Sequence, residues 1–188
     1  WLDPLITSAA QAGAAIPSFW LGLLLILFFS VELPVLPAGG FTPWGRDFTG
    51  AVRSLLLPAL ALGLGQAAVL TRMTRASLLD VLRQDYVRTA TAKGAGRGRV
   101  VVRHALRNAM VTIITVIGLS LAQVLVGAIV VEQVFSLPGL GRLALTAIGA
   151  RDFPLLQAQV VLYASAIILL SFIVDVFYAV LDPRIRYS

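Results

Sequence analysis

Four stretches of this chain are long enough to cross a bilayer and almost free of charge, and a densely basic segment separates the second from the third. The first lies within Pro4–Val31 and is densest at Ile16–Val31 (IPSFWLGLLLILFFSV). The second is Ser54–Thr71, the third Asn108–Val131, and the fourth Pro154–Leu181, interrupted by Asp175 alone. A transmembrane helix needs about 20 predominantly apolar residues. Ser54–Thr71, at 18 residues, is near the lower limit, and Pro58, Gly63 and Gly65 make it a bent or closely packed helix.

Between Thr71 and Arg107 lie nine basic residues: Arg72, Arg75, Arg83, Arg88, Lys93, Arg97, Arg99, Arg103 and Arg107. Asp80 and Asp85 are the only acids there. Each Lys or Arg at a bilayer centre costs roughly 2.5–3.5 kcal/mol, so burying all nine would cost on the order of 20 kcal/mol or more. The segment therefore lies outside the hydrocarbon. The positive-inside rule puts it in the cytoplasm, together with the tail DPRIRYS and its Arg184 and Arg186. Arg46, Arg53, Arg142 and Arg151 are then outside, a ratio of eleven basic residues to four. The resulting topology has spans at about 12–32, 53–71, 108–131 and 154–181. A cytoplasmic loop occupies 72–107, and external loops occupy 33–52 and 132–153.

Composition agrees with a membrane protein. Of the 188 residues, 59% are hydrophobic and 13% charged, against about a quarter charged in ordinary soluble domains. Mean hydropathy is +0.90. The net charge of +6 does not indicate nucleic acid, because it is confined to loops between apolar spans. With no cysteine, disulfides, thiolate metal sites and cysteine nucleophiles are excluded. The chain starts at Trp1 with no visible signal peptide, and the expectation is that further residues precede it.

The basic loop has internal order. Leu78, Leu79, Leu82, Tyr86 and Ala90 recur at helical spacing, so Ser77–Lys93 is expected to form an amphipathic helix. Gly94, Gly96 and Gly98 break it, and Val100–Asn108 restarts a helix leading into the third span. Such a bracket suits a rigid lever offered to a soluble partner. A stop-transfer loop held by anionic lipid headgroups has the same composition.

The text YVRTATAKGAGRGRVVVRHALRNAM at Tyr86–Met110 resembles the E-A-A-x3-G signature of ABC-importer permeases in its peptide/nickel form. Arg88, Thr89 and Ala90 stand at the E-A-A positions, Gly94 is the signature glycine, and His104-Ala105-Leu106-Arg107-Asn108 completes it. LTRMTRASLLDVLRQDYVRTA at Leu70–Ala90, VVEQVFSLPGLGRLALTAIGARDFPLLQ at Val130–Gln157 and the final LDPRIRYS extend the similarity over the whole chain. It looks like the C-terminal part of a permease of the dipeptide, oligopeptide and nickel group. The first one or two of about six family spans are expected upstream.

The resemblance implies an all-α polytopic membrane bundle, the type I ABC-importer permease fold, in a bacterial inner membrane. It implies a docking segment for a cytoplasmic ATPase at Asp85, Tyr86, Arg88, Thr89, Ala90, Ala92, Lys93 and Gly94. A gate or pathway is implied at Ser120, Gln123, Val124, Gly127 and Val131. An external loop meeting a substrate-binding protein is implied at Glu132, Pro138, Gly139, Gly141 and Arg142. The amphipathic stretch Leu140–Ala150 in that loop either lines the mouth or merely covers the bundle. Implied partners are a second, homologous permease (a heterodimer), two ATPases that hold the ATP and magnesium, an extracytoplasmic binding protein and membrane lipid. Peptides are the implied cargo, with nickel, glutathione or another small solute as alternatives.

The chain itself carries no signature of catalysis. Its single lysine lies in TAKGAG, which lacks the phosphate-cradling G-x4-G-K-[ST]. The sole histidine, His104, has basic neighbours and no carboxylate partner, and no residue cluster has metal-ligand spacing. A secondary transporter, the distant alternative, would need charged residues along a path inside the spans, where Asp175 stands alone. Asp175 is expected to pair with a loop arginine, and Glu132 to order the loop that carries Arg142.

Overall fold

A computed structural model describes residues 16–94, 96, 98 and 100–181. All regular structure among them is helical. Helix α1 (Ser18–Ile26) passes into a π-helical turn, Leu27–Glu32. Helix α2 is Phe48–Leu82, α3 is Asp85–Ala92, and a π-helical stretch, Val100–Leu106, leads into α4 (Arg107–Val134). The short α5 (Leu140–Ala150) and the long α6 (Phe153–Leu181) follow.

Three of these helices are long and apolar enough to cross a membrane: Phe48–Leu82, Asn108–Val134 and Phe153–Ala179. They account for the second, third and fourth expected spans. The first expected span is described from residue 16 onward. There it forms nine residues of α-helix and six of π-helix, shorter than a full crossing, and residues 12–15 lie outside the described set. So do Arg97, Arg99 and the tail DPRIRYS.

The chain divides into two compact units. One comprises the chain up to Ala68 together with Ala122–Ala166; the other comprises Val69–Leu121 and the chain from Ile167 on. In the first unit, Leu57 and Ala61 of α2 and Val131 and Phe135 at the end of α4 form a buried core. Leu25, Ile26, Phe29 and Leu62 pack around it. Helix α1 comes close enough that a Cβ at Gly22 would lie 2.9 Å from the Phe135 ring. The segment between α1 and α2 closes on the same residue, because the Gly40 N–H donates to the Phe135 carbonyl at 2.7 Å. Gly40 has φ +80°, a conformation glycine adopts without steric cost.

Helix α2 carries Pro58 in its interior, which forfeits one i→i−4 bond. The helix nevertheless continues, and nearby Ser54 donates its hydroxyl to the Ala51 carbonyl at 2.8 Å. At 35 residues and 1.5 Å per residue, α2 is longer than the ~30 Å hydrocarbon. Its last turns therefore extend into the segment assigned to the cytoplasmic loop. This corrects the expectation of one helix over Ser77–Lys93: α2 ends at Leu82, and α3 begins afresh at Asp85. Between them Gln84 is extended, with ψ 148°. An acid in the first turn stabilises a new helix start at Asp85, and the apolar period passes over the two-residue break unchanged.

In the second unit, α3 packs against Val100–Leu106. Val87, Val100, Ala105, Ala109, Ile113 and Ile114 are buried there. Ser77 near the end of α2 donates to the Ala109 carbonyl at 3.5 Å. Helices α4 and α6 meet at Gly118, where an added Cβ would lie 2.9 Å from Val174 Cγ2, and Tyr178 donates its hydroxyl to Thr115 Oγ1.

Candidate functional site

The docking residues inferred from sequence fall on α3 and its C-terminal turn. Asp85, Tyr86, Arg88, Thr89, Ala92, Lys93 and Gly94 are exposed, Ala90 is half-buried, and Val87 alone faces inward, at 4% exposure. The helix is amphipathic with one apolar anchor beneath and a polar surface above. Thr89 and Thr91 spend their hydroxyls on the carbonyls of Asp85 and Val87, each at 2.9 Å, a helix-internal bond that leaves no orphan donor. Arg88 and Asp85 approach to 3.9 Å with side chains 79% and 99% exposed. A pair so exposed is held only weakly, and Arg88 stays available to an acidic partner.

Gly94 ends this helix with φ +83°, and its N–H donates to the Thr91 carbonyl at 3.0 Å. A left-handed residue just past the helix end is the usual glycine stop. A Cβ at Gly94 would meet nothing within 4 Å. Among the described residues, the backbone angle is what favours glycine here.

Two supports of α3 were not foreseen. Asn108 donates from Nδ2 to the Tyr86 hydroxyl at 2.7 Å, tying α3 to the first turn of α4. Val87 is the buried anchor. In the sequence Asn108 stood only as the last residue of the signature and the first of the third span, with nothing to point it at Tyr86.

The residues inferred to line a pathway share one face of α4. Ser120 is 4% exposed and Val131 is 1% exposed within the core. A Cβ at Gly127 would touch Leu62 at 3.4 Å. Val124 is half-buried, and Gln123 is exposed. Within this chain, the face thus packs inward at Ser120, Gly127 and Val131 and opens at Gln123. Asp175 is exposed and makes no ion pair among the described residues, so the expected arginine partner is not among them. The side chain of His104 lies outside what is described.

The segment between α4 and α5, inferred from sequence to lie outside, has a definite geometry. Glu132, half-buried on α4, accepts the Arg142 backbone N–H on Oε2 at 2.9 Å. The anticipated Glu132–Arg142 contact is therefore made by the backbone, and the guanidinium stays exposed. Pro138 precedes Gly139, the extended residue from which α5 starts, and Gly141 is buried. Arg142, Leu143 and Thr146 border an open cavity of about 440 Å³. Gln159 of α6, at 5% exposure, donates to the Leu140 carbonyl at 3.4 Å. That polar residue inside an apolar helix was passed over in the sequence.

These features define a multi-pass helical membrane protein with a short, exposed amphipathic helix set in a basic loop. Residues 1–187 match the family described as binding-protein-dependent transport system inner membrane component, and the chain belongs to that family. It is 44% identical to the dipeptide transport system permease protein DppB of Haemophilus influenzae, over 100% of this chain and 62% of that protein. It is 46% identical to the glutathione transport system permease protein GsiC of Escherichia coli strain K12, over 100% of this chain and 59% of that protein. The chain thus spans about three fifths of the length of these relatives.

Proposed function

We propose that this chain is the membrane-spanning part of a permease subunit in an ATP-driven ABC importer of peptides, in a bacterial inner membrane. Family membership over residues 1–187 supports the class. The observation that carries the mechanism is α3: a short helix with one buried anchor, an exposed polar surface and a glycine stop, braced on α4 through Tyr86 and Asn108. Such a helix transmits force only when it is anchored to the spans behind it. Here Val87 and the Asn108 bond hold one side, and the exposed surface from Asp85 to Gly94 is the side offered to a cytoplasmic ATPase.

ATP and magnesium belong to the two separate ATPases, and the work of closure enters this chain through α3. The coupling functions if the ATPase pair binds the inward- and outward-facing permease with different affinities. Arg88 and Lys93 meet acidic residues at the rim of the ATPase groove. Gln123, the exposed polar residue on the Ser120–Val131 face, borders the path, and a second, homologous permease completes it. A binding protein outside delivers the solute to the loop that carries Arg142. The names of the relatives favour dipeptides and glutathione, both small peptides, as cargo.

The test is purification from the native membrane in mild detergent, followed by reconstitution. A P-loop ATPase and a second permease should co-purify, and ATP should drive uptake of a labelled dipeptide when the binding protein is present. A stable homo-oligomer of this chain alone, transporting in proton-loaded vesicles without ATP, would refute the proposal.

A further inference from the structure

The turn between α4 and α5 is built more tightly than a loop that only connects two helices. Glu132 reaches across it to the first turn of α5, whose leading N–H groups have no partners inside the helix. Gln133, Ser136, Leu137 and Pro138 form a compact return, with the Leu137 N–H donating to the Glu132 carbonyl at 2.9 Å. A Cβ at Gly139 would fall 2.1 Å from the Glu132 carboxyl, and one at Gly141 would fall 2.6 Å from Ile129 Cα on α4. A side chain at Gly139 would displace the carboxylate, and one at Gly141 would collide with the α4 backbone.

Two further elements close on the same corner. Phe135, fully buried, accepts the Gly40 N–H of the preceding external loop. A Cβ at Gly39 would lie 2.6 Å from that same Phe135 carbonyl. From the other side, Gln159 reaches the Leu140 carbonyl while its own Oε1 stays buried without a partner. Glycine at three contact points and a carboxylate on a helix N-terminus are what a rigid joint requires, because both bring backbones to contact distance.

We infer that Glu132 is a positioning residue: it latches α5 to the end of α4, so that α5 moves with α4 as one body and carries Arg142 with it. An acceptor oxygen placed there satisfies a leading N–H that has no partner inside the helix. Its role needs an acceptor oxygen aimed at the Arg142 N–H and does not need a substrate or ion. Helix α5 then acts as a lid fixed to α4, and a rotation of α4 that opens or shuts the outer mouth sweeps the Leu143–Thr146 face through the same angle. This rests on the importer reading for its consequence, though not for its geometry.

The absence of cysteine in this chain allows a direct test. Gln133 and Thr146, both exposed, are changed to Cys and spin-labelled in the assembled complex in nanodiscs, and the distance distribution is measured by double electron–electron resonance. Glu132→Ala should broaden that distribution at least twofold. It should also lower peptide uptake per ATP hydrolysed by fivefold or more. Glu132→Gln keeps an acceptor oxygen and should stay within about twofold of the parent in both readouts.

An unchanged distance distribution in Glu132→Ala would overturn the latch, as would Glu132→Gln failing as badly as Glu132→Ala, which would mark the charge itself as functional. The distance measurement requires no transport. An absence of ATP-driven uptake in the parent complex therefore tells against the importer reading alone, and a failed distance result tells against the latch alone.

Discussion

At the residue scale, several glycines differ in what they do. Gly94 holds φ +83° with open space around it, so a side chain there costs conformational energy of about 1–2 kcal/mol and no packing energy. Gly94→Leu should therefore lower uptake per ATP hydrolysed, whereas Gly94→Asn, which tolerates the left-handed region, should lose much less. Equal loss in both variants would show that the partner groove, and not the backbone angle, demands glycine. Gly118 is the opposite case: its helical backbone accepts any residue, but Val174 Cγ2 stands 2.9 Å from where a Cβ would go. Overpacking there costs about 1–3 kcal/mol. Gly118→Val should depress the melting temperature in detergent, while Gly63→Ala, with nothing within 4 Å, should leave it unchanged or raise it. The sequence marks all three as glycine, and the difference lies entirely in what surrounds them.

At the scale of elements, α3 shows how far periodicity reaches. Apolar spacing located an amphipathic helix in the basic loop and its end at Gly94, and the structure has a helix ending there. The same spacing could not reveal the break at Arg83–Gln84, because the apolar positions on either side stay in register. Nor could it reveal that the Asn108 amide reaches back to Tyr86, since residues 22 apart meet only when the chain has turned. One such hydrogen bond contributes about 0.5–1.5 kcal/mol. Tyr86→Phe should accordingly raise hydrogen exchange of the α3 amides by about 2- to 10-fold, with the protein still folded. Exchange unchanged from the parent would mean that Val87 alone holds the helix. Helix α5 was legible to the residue, Leu140–Ala150, but the carboxylate that begins it lies on another helix, where no local pattern could point to it.

For the whole molecule, the outer surface is largely apolar. Phe172, Val160, Val161 and Ile168 on α6 are each more than 60% exposed, which in water would be untenable and in a bilayer is the ordinary lipid- or partner-facing surface. The topology drawn from charge makes a direct prediction, and the cysteine-free chain makes it easy to check. A single cysteine at Thr146 should react with an impermeant maleimide on intact cells. One at Arg88 should react only in inside-out vesicles. The reverse pattern would invert the assignment of the basic loop to the cytoplasm, and with it the docking of α3.

Membrane residence and helical class were legible in sequence alone, because the cost of burying charge in hydrocarbon is paid residue by residue and needs no tertiary contact. The motif at Tyr86–Asn108 likewise pointed to the family. Only the tertiary structure decided which polar groups are spoken for. It placed Val131 in a core, gave the Glu132 carboxylate to a backbone N–H instead of the Arg142 guanidinium, and buried Gln159 against Leu140. Those outcomes depend on which helix faces meet, and that is a property of packing distances between residues far apart in the chain.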